Sequence, residues 1–310
     1  MKKIIALCLA LLLLCAPALA SAQTVVTSFY PIHIFALNLL HGVEGVTLVS
    51  LTDPGAGCLH DYQLQTGDMK ALAKADAFLI NGAGMEGFLE GVFEAFPTLP
   101  VVDASADVEL LEDCSDGHDH DHDDHDDHDH DHAYNAHIWL DAQNAVIMVG
   151  NLTEGLIAAL PEHAEAIAAN RDAYITRLTA LDAELEAVLS ALPSKDIITF
   201  HEAFPYFANA YGLNVAAVIN RDPDDALSPR ALAELCKLVE SLGAPPLFVE
   251  PQYEDMAAQT IARETGASLH TLDPIVTGPE TDIPLTYYED VMRRNAAVLA
   301  EALSPAEPSH

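Results

Sequence analysis

Ile167, Tyr174, Leu178, Leu181, Leu185, Val188 and Leu192 recur at spacings of 7, 4, 3, 4, 3 and 4 residues. That is one continuous apolar stripe on a helix of about thirty residues. Pro161 suits its first turn and Pro193 its exit. At 1.5 Å per residue such a helix runs on the order of 45 Å, more than a single small domain requires. A chain carrying it in its middle is expected to fold as two bodies joined by a strut.

The flanking segments agree. Before the stripe, the apolar runs TVVTSFYP, TLVSLTDPGAG, AFLINGAG and PVVDAS read as strands ending in loop signals, with helices predicted over Thr66 to Ala75 and Met85 to Phe96. After it come strand DIITFH, a helix around Phe204 to Tyr211, strand NVAAVI, helix Pro229 to Leu242, strand PLFVE, helix Met256 to Thr265, strand SLHTLD and a helix from Thr286 to Leu303. Strands alternating with helices imply parallel sheets, whose ligands bind beyond the carboxyl ends of the strands. The expected fold class is α/β. Its lobes span 23–160 and 194–310, with the linking helix at 161–193 between them.

Residues 1–22 pair Lys2 and Lys3 with an apolar run from Ile4 to Cys15 and small residues at Ala18, Ala20 and Ala22. This reads as a secretory leader cleaved after Ala20 or Ala22, too short to remain as a membrane anchor. An exported, periplasmic product is expected. Its cysteines would be Cys58, Cys114 and Cys236, enough for one disulfide, with Cys58 and Cys114 able to pair and Cys236 placed as a buried small hydrophobe. The net charge of −35 argues against nucleic acid or an anionic membrane surface as partner and makes a cation the natural ligand.

Three histidines occupy equivalent places. His60 follows the glycine-broken loop after a strand, His137 precedes a helix, and His201 ends the strand DIITFH; Asp273, after SLHTL, is placed the same way. Three imidazoles and a carboxylate at strand ends from both halves would suit a four-coordinate divalent cation in a cleft. Spacing alone does not separate that reading from ordinary hydrogen-bonded loop residues. His33, His41, His163 and His270 are weaker candidates: His41 beside Gly42 and His163 at a helix start read as solvated, and His270 as part of a strand.

The strings PGAGCLHDYQLQTGDMKALAKADAFLINGAGMEGF, NAHIWLDAQNA, ITFHEAFPYFANAYGL, FVEPQY and LDPIVTG resemble, in this order, motifs of the periplasmic metal-receptor proteins of ABC transporters. This is the cluster A-I family, and the likeness is to its zinc receptors. It runs from about Val25 to Leu303. The resemblance implies two Rossmann-like (βα)4 lobes joined by one rigid helix, with Zn2+ held between them by His60, His137, His201 and Asp273. It also implies delivery to a cognate permease driven by an ATPase, no catalysis, and a monomer. The manganese and iron branch of the family has glutamate where His201 stands, and a harder oxygen ligand favours harder cations, so His201 points to zinc. Two features depart from the family pattern: Cys58 and Leu59 precede His60, and no cysteine pair stands near the C-terminus.

Around the ligand motifs, Asp61, Asp141, Glu202 and Glu250 are the carboxylates able to take the second ring N–H of a ligating histidine. Trp139, Phe204, Tyr206, Phe207 and Tyr211 are placed to pack behind the ligands. Between Glu112 and His132 stand 11 acidic residues and seven histidines, His118, His120, His122, His125, His128, His130 and His132, with no basic residue. This low-complexity loop is expected to bind transition metals weakly, because its ligands are suitable but not preorganised. Exchange with periplasmic zinc chaperones is one role open to it. A metal buffer without a transporter and a zinc hydrolase using Glu202 as base are the rival functions; the chain contains no HExxH.

Overall fold

The computed structural model describes residues 22–55, 59, 62–112, 134–219, 228–252 and 256–304. All but the last residue of the expected leader, Cys58, Cys114, and all but the first residue of the acidic loop lie outside the described residues.

Two four-stranded parallel sheets carry the chain. In the first, β1 (Gln23–Thr27), β2 (Val46–Ser50), β3 (Ala77–Ile80) and β4 (Val101–Asp103) lie in the order β2-β1-β3-β4. In the second, β5 (Asp196–Thr199), β6 (Asn214–Val218), β7 (Leu247–Val249) and β8 (Leu269–Thr271) repeat it as β6-β5-β7-β8. The two-lobe α/β expectation therefore holds. In each sheet the first strand pairs with both the second and the third. The winding reverses at that point, beyond the carboxyl ends of β1 and β3 and likewise of β5 and β7, which is where sheets of this kind bind ligands.

The helices are α1 (Tyr30–Leu39), α2 (Thr66–Leu72), α3 (Leu89–Ala95), α4 (Ala142–Ala159), α5 (Ala164–Leu189), α6 (Pro205–Ala210), α7 (Pro229–Ser241), α8 (Met256–Thr265) and α9 (Tyr287–Leu303). Among these, α1 went unpredicted, since TVVTSFYP reads as a strand running out into a proline. Pro31 in fact sits in the first turn of α1, where its missing N–H costs nothing. Eight of the ten residues of α1 are buried, so the helix has no polar face and gives no amphipathic signal.

The strut is shorter than its stripe suggested. Pro161–His163 form a separate 3-10 turn, and the 26 residues of α5 extend about 39 Å. Ile167, Tyr174, Leu178, Leu181 and Leu185 are buried as expected, but Val188 is 44% exposed and Leu189 takes its place on the stripe. At the C-terminal end the ammonium of Lys195 donates to the carbonyls of Leu189 and Ser190, occupying carbonyls that have no helical partner. No single helix among the described residues is long and apolar enough to cross a membrane.

One core includes α5 and both lobes, joining Phe35 and Leu39 of α1, Leu152 and Leu156 of α4, and Val291 and Leu299 of α9 to the α5 stripe. Polar bonds fasten the same junction. Asn170 of α5 donates to the carbonyls of Leu39 and His41, 2.9 Å each, where α1 ends. Arg177 of α5 donates to Glu289 of α9 at 2.8 Å and to the side chain of Asn38 in α1, and lies 4.7 Å above the Tyr174 ring.

The Glu289 side chain is 2% exposed, so it depends on Arg177 for its counter-charge. Arg177→Met is expected to lower the unfolding free energy of the metal-free protein by about 3 kcal/mol in urea, because a buried carboxylate loses its partner. Adding Glu289→Leu is expected to restore most of that loss.

Candidate metal centre

In the second lobe, His201 lies two residues beyond the end of β5 and Glu250 directly follows β7, the strand paired with β5. The two side chains meet at the reversal of winding. His201 Nδ1 is 2.6 Å from Glu250 Oε1, and Gln252 Nε2 donates to Glu250 Oε2 at 2.5 Å. Burial opposes a charge on His201, but the Glu250 hydrogen bond and the charges of Glu250 and Glu202 outweigh it and hold the imidazole pKa above its ordinary value. Glu250 is thus the carboxylate that orients His201, one of the four anticipated from sequence.

In the first lobe, the turn after β3 takes consecutive positive φ angles at Gly82 (78°), Ala83 (52°) and Gly84 (82°). A Cβ on Gly82 would lie 1.9 Å from Asp103 Oδ1, so both the backbone angle and the space demand glycine. This turn aims the backbone N–H groups of Asn81 and Gly82 at the buried carboxylate of Glu86, at 2.7 and 3.0 Å. The Asn81 side chain then donates to the carbonyl of Ala136 at 2.9 Å, directly before His137.

His137 is 1% exposed. Asn135 Oδ1 accepts from its backbone N–H at 3.0 Å and lies 3.1 Å from its ring Nδ1. Trp139 is fully buried, with its ring 5.2 Å from the imidazole. Past His137 the chain makes a 3-10 turn, Ile138–Leu140, and enters α4, where Asp141 caps the helix by accepting from Gln143 N at 2.8 Å. Asp141 therefore serves the helix start.

The lobes meet at these residues. The His137 and His201 rings lie 5.0 Å apart, nearly perpendicular at 84°. Asn135 Nδ2 donates to the Glu202 carbonyl at 2.8 Å, and the Tyr206 hydroxyl donates to the Asn135 carbonyl at 2.9 Å. Farther along, Trp139 Nε1 donates to the Pro274 carbonyl at 2.8 Å and the Tyr30 hydroxyl to that of Pro279 at 3.0 Å. Gly278 permits the second contact, since a Cβ there would stand 2.3 Å from the Tyr30 oxygen.

Asp273 begins the loop those two bonds hold. Its Oδ1 accepts from Ile275 N at 2.8 Å, and Asn295 bonds both its N–H and its carbonyl. Burial pushes its carboxyl up; the Ile275 N–H and Arg294 pull it down, and the charge of Glu250 raises it again. Among the described residues, no three His, Cys, Asp or Glu side chains close around one point. The structure thus unites His137 with His201 and keeps Asp273 apart from that pair. His60, Asp61 and the seven loop histidines lie outside the described residues. The ends of the acidic segment are drawn together by an antiparallel bridge between Glu112 and Tyr134, one residue before Asn135.

Of the weaker candidates, His41 is exposed as expected, and His163 is half-buried in the Pro161–His163 turn rather than fully solvated. His270 in β8 packs on Phe248, and His33 lies 3.1 Å from Thr27 Oγ1, with burial pushing its pKa down to about 4. Phe204, Tyr206, Phe207 and Tyr211 are buried as expected, whereas Cys236 is half-exposed at the edge of a minor core. Asn135 was not foreseen. The sequence reading sought charged orienting groups, and a neutral amide two residues before a histidine carries no charge signal.

A family model described as zinc-uptake complex component A, periplasmic (ZnuA) matches residues 25–302. The zinc-binding protein AdcA of Streptococcus pyogenes serotype M6 is 31% identical over 288 residues, 89% of this chain and 55% of that protein. The chain thus spans about half the length of the AdcA relatives it matches. The high-affinity zinc uptake system protein ZnuA of Brucella suis biovar 1 is also 31% identical, over 321 residues, with 94% of this chain and 95% of that one covered. Among solved structures, Zn(II)-bound AdcA from Streptococcus pneumoniae superposes with a TM-score of 0.77 at 25% identity, covering 93% of this chain and 59% of that one. The Pseudomonas aeruginosa protein FpvC in complex with Mn2+ gives 0.76 at 26%, covering 91% and 98%.

The carboxylate of Glu86 holds the turn under His137, and its burial sets a pH dependence. Desolvation raises its pKa from 4.5 to about 7, against the lowering effect of the Asn81 and Gly82 N–H groups. A folded-state pKa above the unfolded one means that the native state binds more protons between those values, so this contribution to stability is complete below pH 4.5 and is lost as pH rises through about 7. Urea titrations of the metal-free protein from pH 5 to pH 8 are expected to show a stability decline that Glu86→Gln makes shallower.

Proposed function

The chain belongs to the periplasmic zinc-uptake component A family, and on that premise we propose that it is a receptor that captures Zn2+ in the periplasm and delivers it to an ABC permease. The observation that carries this reading is the pair formed by His137 and His201. Two imidazoles bound to one tetrahedral ion through nitrogens about 2.1 Å from the metal have ring centres about 5 Å apart. The 5.0 Å separation across the two lobes matches. His201 is already oriented, because a carboxylate only accepts: Glu250 accepts the hydrogen bond of Nδ1–H, and the neutral ring keeps its lone pair on Nε2. His60 and Asp273 complete the proposed shell. A second histidine in place of a carboxylate oxygen at position 201 favours zinc over manganese.

Binding accounts for these residues better than hydrolysis. With Asp273 as fourth ligand the proposed shell is closed and leaves no open position for an activated water, which weighs against a hydrolase with Glu202 as base. The family's periplasmic character and the leader expected from the sequence support the periplasm as its place of action, and the partners it would serve are a permease and its ATPase. The seven histidines from His118 to His132 supply a separate set of weak donors on the same polypeptide.

Competition titrations of the purified protein test this. One tight zinc site that excludes manganese is expected, and preferential manganese binding would sink the reading. His137→Ala and His201→Ala are each expected to weaken zinc by more than about 100-fold, and His201→Glu to narrow the margin over manganese. Deleting residues 116–132 is expected to remove weak, multiple binding and leave the tight site; loss of the tight site instead would show that the segment supplies a ligand.

A further inference from the structure

Asn135 makes five hydrogen bonds: its backbone N–H donates to the Leu111 carbonyl, and the other four lie at the seam. Its Oδ1 faces the backbone N–H and ring Nδ1 of His137, its Nδ2 faces the Glu202 carbonyl, and its own carbonyl accepts from Tyr206. The amide's orientation is not open to a flip. A backbone N–H can only donate and a carbonyl can only accept, so the atom toward His137 must be oxygen and the atom toward Glu202 nitrogen. An amide oxygen in turn compels Nδ1 to carry the proton, which leaves the lone pair of the neutral ring on Nε2.

We infer that Asn135 is the positioning residue of the metal centre: its single side-chain amide sets the tautomer of His137 and, through Glu202, ties it to the strand end that carries His201. This rests on the receptor reading. The two histidines are then prepared differently. His201 is held by a carboxylate of its own lobe, whereas His137 is held by a neutral amide bonded across the lobe boundary. Asn135 is 3% exposed, so neither bond is exchanged readily for water. Asn81, holding the carbonyl of Ala136, supports the same segment from beneath.

The test separates this inference from the identity of the cargo. Nitrogen-15 NMR of the metal-free protein at pH 8 reports the tautomer of each histidine without zinc. His137 is expected to be protonated at Nδ1. In Asn135→Ala that preference should be lost and zinc affinity should fall by about 10- to 100-fold. Asn135→Asp keeps an acceptor for His137 and removes the donor to Glu202, so the tautomer should survive while part of the affinity loss remains. A wild-type ring protonated at Nε2 would overturn the inference, as would an Asn135→Ala protein with its tautomer unchanged. If Asn135→Ala does not fold, the wild-type spectrum and Asn135→Asp decide the matter. Zinc affinity indifferent to His137→Ala would instead strike at the receptor reading, leaving the metal-free tautomer measurement standing on its own.

Discussion

One apolar stripe, buried simultaneously against helices of both lobes, is the contact on which the molecule rests. Ile167, Tyr174, Leu178, Leu181, Leu185 and Leu189 of α5 meet α1 and α4 on one side and α9 on the other. Each such side chain removed from water contributes about 1.5 to 3 kcal/mol. Each lobe keeps a smaller core of its own, but the large core that contains the stripe is shared by both lobes and fixes one against the other. The strand ends of β3 and β5 are held opposite each other by apolar packing, and polar side chains refine that placement.

The polar contacts at the lobe boundary follow from this. A buried amide or carboxylate is tolerated only when its bonds are made, and at this seam they are made to the other lobe. Trp139 reaches the Pro274 carbonyl, Tyr288 the Trp139 carbonyl, and Asn135 the Glu202 carbonyl. Every one of these residues adjoins a proposed ligand or its loop. Opening the seam would leave these buried donors and acceptors without partners, so the approach of His137 to His201 is held by the protein's own bonds.

His201 stands two residues past β5 and His137 just before the turn into α4, and the two are supported by unlike chemistry. Glu250 strengthens the basicity of His201 through charge, while Asn135 orients His137 without adding one. In a chain with a net charge of −35, a further buried carboxylate at the seam would carry a large desolvation cost, and the neutral amide avoids it. Glu86 shows what burial does to such a group: even with two backbone donors it is pushed up to about 7.

Residue order by itself determined the alternation of strands and helices and the strut, because hydrophobic period is a local property. It offered His137, His201 and four carboxylates as candidates, and only the fold brought the two rings together and singled out Glu250 beside His201. Residue order misread what depends on surroundings. The mostly buried α1 has no polar face to give a period, and Val188, inside α5, fits the spacing yet faces water because Leu189, four residues after Leu185, takes the buried position. Only the tertiary structure decided the role of Asn135, since its meaning lies in a carbonyl 67 residues away, which spacing cannot reveal. The same holds for Gly278, whose missing side chain makes room for Tyr30 from the opposite lobe. Local pattern names the elements; the burial of polar groups between them is settled only when both lobes are in place.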